Sequence, residues 1–126
     1  LYLGATPVFI GSEKDTWNMC PIALEEAILN QLNKGIQPKA IVLVHLYGMP
    51  AKMNEISVIS KKYNIPILED AAEALGSSYD GKPCGTLGDF GVFSFNGNKI
   101  ITTSGGGALL CHSEIDKKKA VFFQNT

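Results

Sequence analysis

Ala40-Ile41-Val42-Leu43-Val44 is the stretch that decides the fold. It is apolar without alternation and largely β-branched, as expected of a parallel strand buried on both faces. Helical periodicity flanks it. Pro21 to Leu32 carries apolar residues at Ile22, Leu24, Ile28, Leu29 and Leu32, with Pro21 tolerated in the first turn and Gly35 placed to end the helix. Residues 51–63 put Met53, Ile56, Ile59 and Tyr63 on one side of a second helix and Glu55, Lys61 and Lys62 on the other. Further out, Pro66-Ile67-Leu68-Glu69 reads as another buried strand. Val92-Phe93-Ser94-Phe95 and Ala108-Leu109-Leu110-Cys111 read as two more, and Pro7-Val8-Phe9-Ile10 as a short one. Gly76 to Asp89 reads as loop or ragged hairpin. Ser113, with Asp116 three residues on, opens a final helix. The strand–helix–strand alternation predicts an α/β fold with a mostly parallel sheet, in one domain over residues 1–126.

Composition narrows the function. A chain of 126 residues that is 45% hydrophobic and 18% charged is globular, and a net charge of −1 leaves no electrostatic footprint for nucleic acid. Lys117-Lys118-Lys119 follows Glu114 and Asp116 and reads as the solvated face of a helix. Cys20, Cys84 and Cys111 are widely spaced and contain no CxxC, so they form neither a disulfide framework nor a zinc site; reduced thiols in a cytoplasmic protein fit them. No apolar run reaches the ~18 residues of a membrane span. The opening Leu1-Tyr2-Leu3-Gly4 has no initiator Met or signal pattern, and the end is equally abrupt, so the chain reads as truncated at both ends.

In an open α/β sheet, ligands bind beyond the carboxyl ends of the strands. Three polar clusters fall there: His45, Glu69-Asp70, and Ser94 to Lys99. Asp70 has two readings. It can cap a helix beginning at Ala71-Ala72-Glu73-Ala74, or it can be the fixed anion that holds a pyridine nitrogen protonated. Glu69 beside it points the other way, so only one of the pair faces the site. Lys99 is either a solvated charge or a shielded amine of the kind that forms Schiff bases, because it sits between an apolar strand and Ile100-Ile101-Thr102-Thr103. Ser94, with backbone N–H groups, suits a phosphate, and Gly105-Gly106-Gly107 lets backbone pass close to a bulky ligand. Gly76 to Lys82 matches the first seven positions of a P-loop, but Pro83 replaces the magnesium-binding Ser/Thr and no strand–helix context surrounds it. The triple glycine opens no βα turn and makes no dinucleotide site. His45 and His112 have no partner at metal-ligand spacing, and no metal site is assigned.

These residues resemble the DegT-type sugar-nucleotide aminotransferases. The resemblance rests on Glu69-Asp70-Ala71-Ala72-Glu73-Ala74-Leu75-Gly76, on Gly88-Asp89-Phe90-Gly91-Val92-Phe93-Ser94-Phe95, and on Asn96-Gly97-Asn98-Lys99 running to Gly107. Leu3 to Ile10 and His45-Leu46-Tyr47-Gly48 add to it. It implies a three-layer, partial large domain of the fold type I pyridoxal-phosphate transferases. It implies Lys99 as the catalytic Schiff-base lysine and proton shuttle, Asp70 as partner of the pyridine nitrogen, Ser94 as a phosphate contact and Ala72 as the small residue against the ring. Glu73 stands near the cofactor's 3′-oxygen where many relatives have Gln, and an ionised Glu can only accept hydrogen bonds there. Related dehydratases have His in place of the lysine, so Lys99 argues for transamination. The resemblance further implies pyridoxal 5′-phosphate as cofactor, a 4-keto nucleotide-linked sugar and L-glutamate as substrates, and a homodimer. The Asn-Gly-Asn-Lys wording with Glu73 resembles the branch that makes 4-amino-4,6-dideoxy sugars on UDP. The family's upstream phosphate-binding turn and downstream small domain are not in the chain. The segment alone is therefore expected to be inactive, with a gapped sheet that dimerises or rearranges its edges. A non-catalytic binding module of the same fold is the competing reading, against which the Lys99–Asp70 pair counts.

Overall fold

The computed structural model describes residues 3–124. Two helices precede the centre of the sheet or interrupt it: α1 (Pro21–Leu32) and α2 (Met53–Tyr63). Pro21 occupies the first turn of α1, where its missing N–H is not needed, and Gly35 follows the helix with φ +73°. Asn64 ends α2 in the left-handed conformation, φ 53°. The sheet has the order β1 (Ile41–Val44), β2 (Ile67–Asp70), β5 (Phe90–Ser94), β6 (Gly107–Cys111), with β3 (Ser78–Tyr79) and β4 (Lys82–Pro83) forming a separate hairpin. β1, β2 and β5 run parallel, and β6 is antiparallel to β5. α3 (Glu114–Gln124) lies against β6. Ser113 caps it as expected: Asp116 N–H donates to Ser113 Oγ at 3.1 Å, and the hydroxyl donates back to the Asp116 carboxylate at 2.6 Å.

The core lies on one face. Ile41, Leu43 and Ile67 pack with Leu24 and Ile28 of α1 and with Met53, Ile56 and Ile59 of α2. The opposite face of β1 is open, with Val42 57% exposed and Val44 also exposed. This departs from the expectation of a strand buried on both faces. Further along that face α3 walls a cleft with Val92 and Leu109. Pro7 to Ile10 is also not a strand. The segment faces β1 across an open cleft of about 360 Å³ lined by Val8, Phe9, Ile10, Val42 and Val44, and a strand needs a hydrogen-bonded neighbour. Gly76 to Asp89 folds as the β3–β4 hairpin, turned by Asp80 and Gly81, both with positive φ. Lys82 thus lies in a strand and opens no helix, which disposes of the P-loop.

Strand parity sends Glu69 and Asp70 to opposite faces. Leu43, Glu69, Gly91 and Leu110 share one register line; Val44, Asp70, Val92 and Leu109 share the next. Glu69 is completely buried. Its carboxylate accepts His45 Nε2–H at 2.8 Å, Gly85 N–H at 2.7 Å, and Leu87 and Gly88 N–H at 2.5 Å each. Ala51 N–H donates to His45 Nδ1 at 3.0 Å, which fixes the neutral imidazole as the Nε2–H tautomer. Burial by itself would raise the Glu69 carboxyl's pKa, but His45 and the three backbone donors outweigh it and hold the group ionised, below its ordinary value of 4.5. The 85–88 turn held this way sits directly on β5: a Cβ at Gly91 would lie 1.9 Å from the Gly85 carbonyl oxygen.

Two outcomes follow from this packing. Glu69→Ala should cost about 3–5 kcal/mol in urea denaturation of the whole protein, because it strands buried donors; a loss below about 1 kcal/mol would contradict the assignment. With the native pKa depressed, the Glu69 contribution is complete above pH 4.5 and is lost as pH falls through the lower native value. Gly91→Ala should destabilise by about 3 kcal/mol through overpacking, whereas Gly97→Ala, with nothing within 4 Å of the added methyl, should leave the denaturation midpoint unchanged.

Candidate active site

The chain leaves β2 in a turn, not a helix. Asp70 Oδ1 accepts Ala72 N–H at 3.1 Å, and Ala71 N–H donates to Val92 O at 2.9 Å, so residues 71–74 form no helix for Asp70 to cap. The helix N-cap reading of Asp70 is thereby corrected. Its carboxylate lies on the open sheet face, and Oδ2 makes no hydrogen bond among the described residues. Ser94, two positions beyond Val92 on β5, shares that face. Ser94 Oγ accepts Asn96 N–H at 3.3 Å.

Beyond Ser94 the chain makes a loop that folds back on its own strand. Phe95 N–H donates to Gly106 O at 2.9 Å, Thr103 N–H to Phe95 O at 3.0 Å, and Lys99 N–H to Asn96 O at 3.0 Å. The Lys99 side chain is turned inward and only 17% exposed, with Nζ 3.6 Å from Glu73 Oε1. The local sequence around Lys99 is free of charge, yet the fold supplies an anion from the loop after β2. Glu73 Oε2 in turn accepts Tyr47 N–H at 3.1 Å. Tyr47 sits in the short turn Leu46–Gly48 that follows β1, with φ 51°. Gly48 (φ +82°) closes that turn so near the Glu73 carbonyl and Ser77 Oγ that a Cβ would stand 3.2 Å from each.

The ends of β1, β2 and β5 therefore meet at one carboxylate, Glu73. Lys99 and Glu73 touch; Asp70, Ala72 and Ser94 lie at the same end of the sheet, but none of the three forms a hydrogen bond or ion pair with Lys99 among the described residues. Sequence reasoning missed the Tyr47 backbone donor and the His45–Glu69 link. The available signal was position alone: both follow directly on a buried strand. Cys84 is buried, and burial followed by the Glu69 charge pushes its thiol pKa up, so it is an inert core thiol rather than a nucleophile. No helix among the described residues is long and apolar enough to cross a membrane.

Comparison with known proteins identifies the family and the fold. The family model of the DegT/DnrJ/EryC1/StrS aminotransferases matches residues 1–126. The chain is 57% identical over 122 residues to EpsN of Bacillus subtilis (strain 168), whose name carries a provisional assignment as a pyridoxal phosphate-dependent aminotransferase; the match takes in 97% of this chain and 31% of that protein. It is 42% identical over 123 residues to the GDP-perosamine synthase of Escherichia coli O157:H7, covering 98% of this chain and 32% of the relative. A crystal structure of a DegT DnrJ EryC1 StrS aminotransferase from Brucella abortus superposes with a TM-score of 0.90 at 36% identity, over 97% of this chain and 34% of that one. The chain thus spans about a third of the length of the proteins it matches, and its fold is part of their large domain. By a family match that runs its full length, the chain belongs to the DegT/DnrJ/EryC1/StrS aminotransferase family.

Proposed function

We propose that the whole protein is a pyridoxal 5′-phosphate-dependent transaminase that converts a 4-keto nucleotide-linked sugar into an amino sugar in bacterial glycan biosynthesis, with L-glutamate as amino donor. The observation that carries this reading is the shielded Lys99 amine at the sheet end that also bears Asp70 and Ser94. The donor set suits the group. It offers one primary amine shielded from bulk water, one carboxylate with an oxygen free of hydrogen bonds among the described residues, one hydroxyl that accepts a backbone N–H, and the small Ala72 in the turn after β2. The name of the GDP-perosamine synthase relative supports a sugar-nucleotide substrate.

When bound, the cofactor supplies an electron-withdrawing ring that stabilises the carbanion left by loss of a substrate proton. The chain's own residues do the rest. Lys99 Nζ would hold the cofactor through its aldehyde carbon and would carry the proton to and from the substrate carbon. Asp70 would hold a proton on the pyridine nitrogen, since a fixed anion beside it favours the cationic ring. Ser94 Oγ would bind the phosphate, Ala72 would leave room for the ring, and Glu73 would accept a hydrogen bond from the 3′-oxygen. The protein acts as a homodimer in the cytoplasm; three free cysteines support that compartment, and the open face of β1 supports further subunit or intrachain packing.

The whole protein should develop a visible absorption band on adding pyridoxal phosphate, and Lys99→Ala should abolish both band and turnover. A variant that kept both would overturn the reading. Asp70→Asn should retain cofactor yet lose at least about 100-fold in turnover, measured with glutamate and a 4-keto sugar nucleotide; a loss of only a few-fold would remove Asp70 from its role.

A further inference from the structure

We propose that Glu73 is an electrostatic tether for Lys99: in the cofactor-free protein it holds the lysine as a paired ammonium, and an incoming aldehyde must displace that pair before the amine can react. The proposal rests on the reading of Lys99 given above, and adds a role for a carboxylate in the state before cofactor arrives.

Three observations support it. First, Glu73 Oε1 stands 3.6 Å from Lys99 Nζ, and this is the only ion pair Lys99 makes among the described residues. The neighbours that Lys99 has in its own loop, Asn96 and Asn98, are neutral. Asp70 spends one oxygen on Ala72 N–H and makes no ion pair with it. Second, both members are largely withdrawn from water, at 17% and 33% side-chain exposure, so the attraction is screened less than at an open surface. Third, Glu73 is itself held. Its Oε2 accepts Tyr47 N–H at 3.1 Å, from a turn whose left-handed residues Tyr47 and Gly48 close over the Glu73 backbone. An anion anchored through one oxygen presents the other to Lys99 at little further cost in side-chain freedom.

An ammonium cannot attack a carbonyl. For capture, Lys99 gives one proton to solvent, its nitrogen bonds to the aldehyde carbon, and the carbonyl oxygen leaves as water. Glu73 remains a carboxylate throughout, and no electron donor or acceptor is needed. The Lys99 nitrogen must leave the Glu73 carboxylate, 3.6 Å away, before it can reach the aldehyde carbon, so the pair slows capture. Glu73 is in this respect a positioning residue that acts through Lys99. A Gln in its place keeps a carbonyl oxygen for Tyr47 N–H and replaces the charged oxygen facing Lys99 with a neutral amide NH2.

The test uses the whole protein stripped of cofactor and measures the rate of imine formation with pyridoxal, which lacks the phosphate, by stopped-flow absorbance at neutral pH. Glu73→Gln should react about two- to fivefold faster than the unchanged protein, the size expected for a partly exposed pair, and Glu73→Asp should fall back towards the unchanged rate. A merely structural role would slow capture, not speed it. A Gln variant that is slower, or faster by less than about twofold, overturns the tether. Lys99→Ala separates the two readings: if it captures pyridoxal as the unchanged protein does, the assignment of Lys99 fails and the tether falls with it, whereas loss of capture there with no gain in Glu73→Gln sinks the tether alone.

Discussion

The buried Glu69 carboxylate is the constraint on which the rest of the structure depends. An ion removed from water is tolerable only when its oxygens are fully hydrogen-bonded, and Glu69 meets that condition with His45 and three backbone N–H groups. The partners come from two different parts of the chain. His45 closes β1, and the donors at residues 85, 87 and 88 belong to the turn that leads into β5. One side chain therefore fixes how the ends of three strands stand relative to one another. Because successive strand residues point to opposite faces, anchoring Glu69 inward also sends Asp70 outward, to the face with Ser94. The adjacent Glu and Asp divide the labour between holding the fold and facing the candidate site.

Much of the architecture was legible in the sequence because it depends on local rules. The 3.6-residue spacing of Met53, Ile56 and Ile59, Pro21 in a first turn, and Ser113 with Asp116 each predict an element from nearby residues, and each element forms. The parallel sheet also follows from such runs. The failures share one cause, the need for distant partners. Pro7 to Ile10 has strand composition but no neighbouring strand to bond with, and Val42 and Val44 are as apolar as a doubly covered strand requires while their outer side is open. Asp70 precedes residues with helical propensity, yet the β2–β5 ladder continues to Ala71 N–H and leaves only a turn beyond it.

For the candidate site, strand ends located the right region without giving its contacts. Lys99 stood out because no charge lies near it in sequence, and the fold brings Glu73 to it from 26 residues upstream by converging two parallel strands at one end of the sheet. Tyr47 could not be identified, because its contribution is a backbone N–H oriented by a left-handed φ, which no side-chain pattern announces. The family match and the superposition on an aminotransferase make the chain part of the large domain of that fold, and it covers about a third of that protein's length. Geometry at the strand ends then supplies what family membership does not: which oxygen faces which nitrogen, and which carboxylate is structural.

The central claim is that Lys99 is the amine that bonds the cofactor. Borohydride reduction of the whole, cofactor-loaded protein followed by peptide mapping tests it most directly, since reduction fixes the bond on whichever lysine made it. The account predicts a single phosphopyridoxyl group, on the peptide that contains Lys99. The label on Lys82, on one of Lys117 to Lys119, or on no lysine would contradict it.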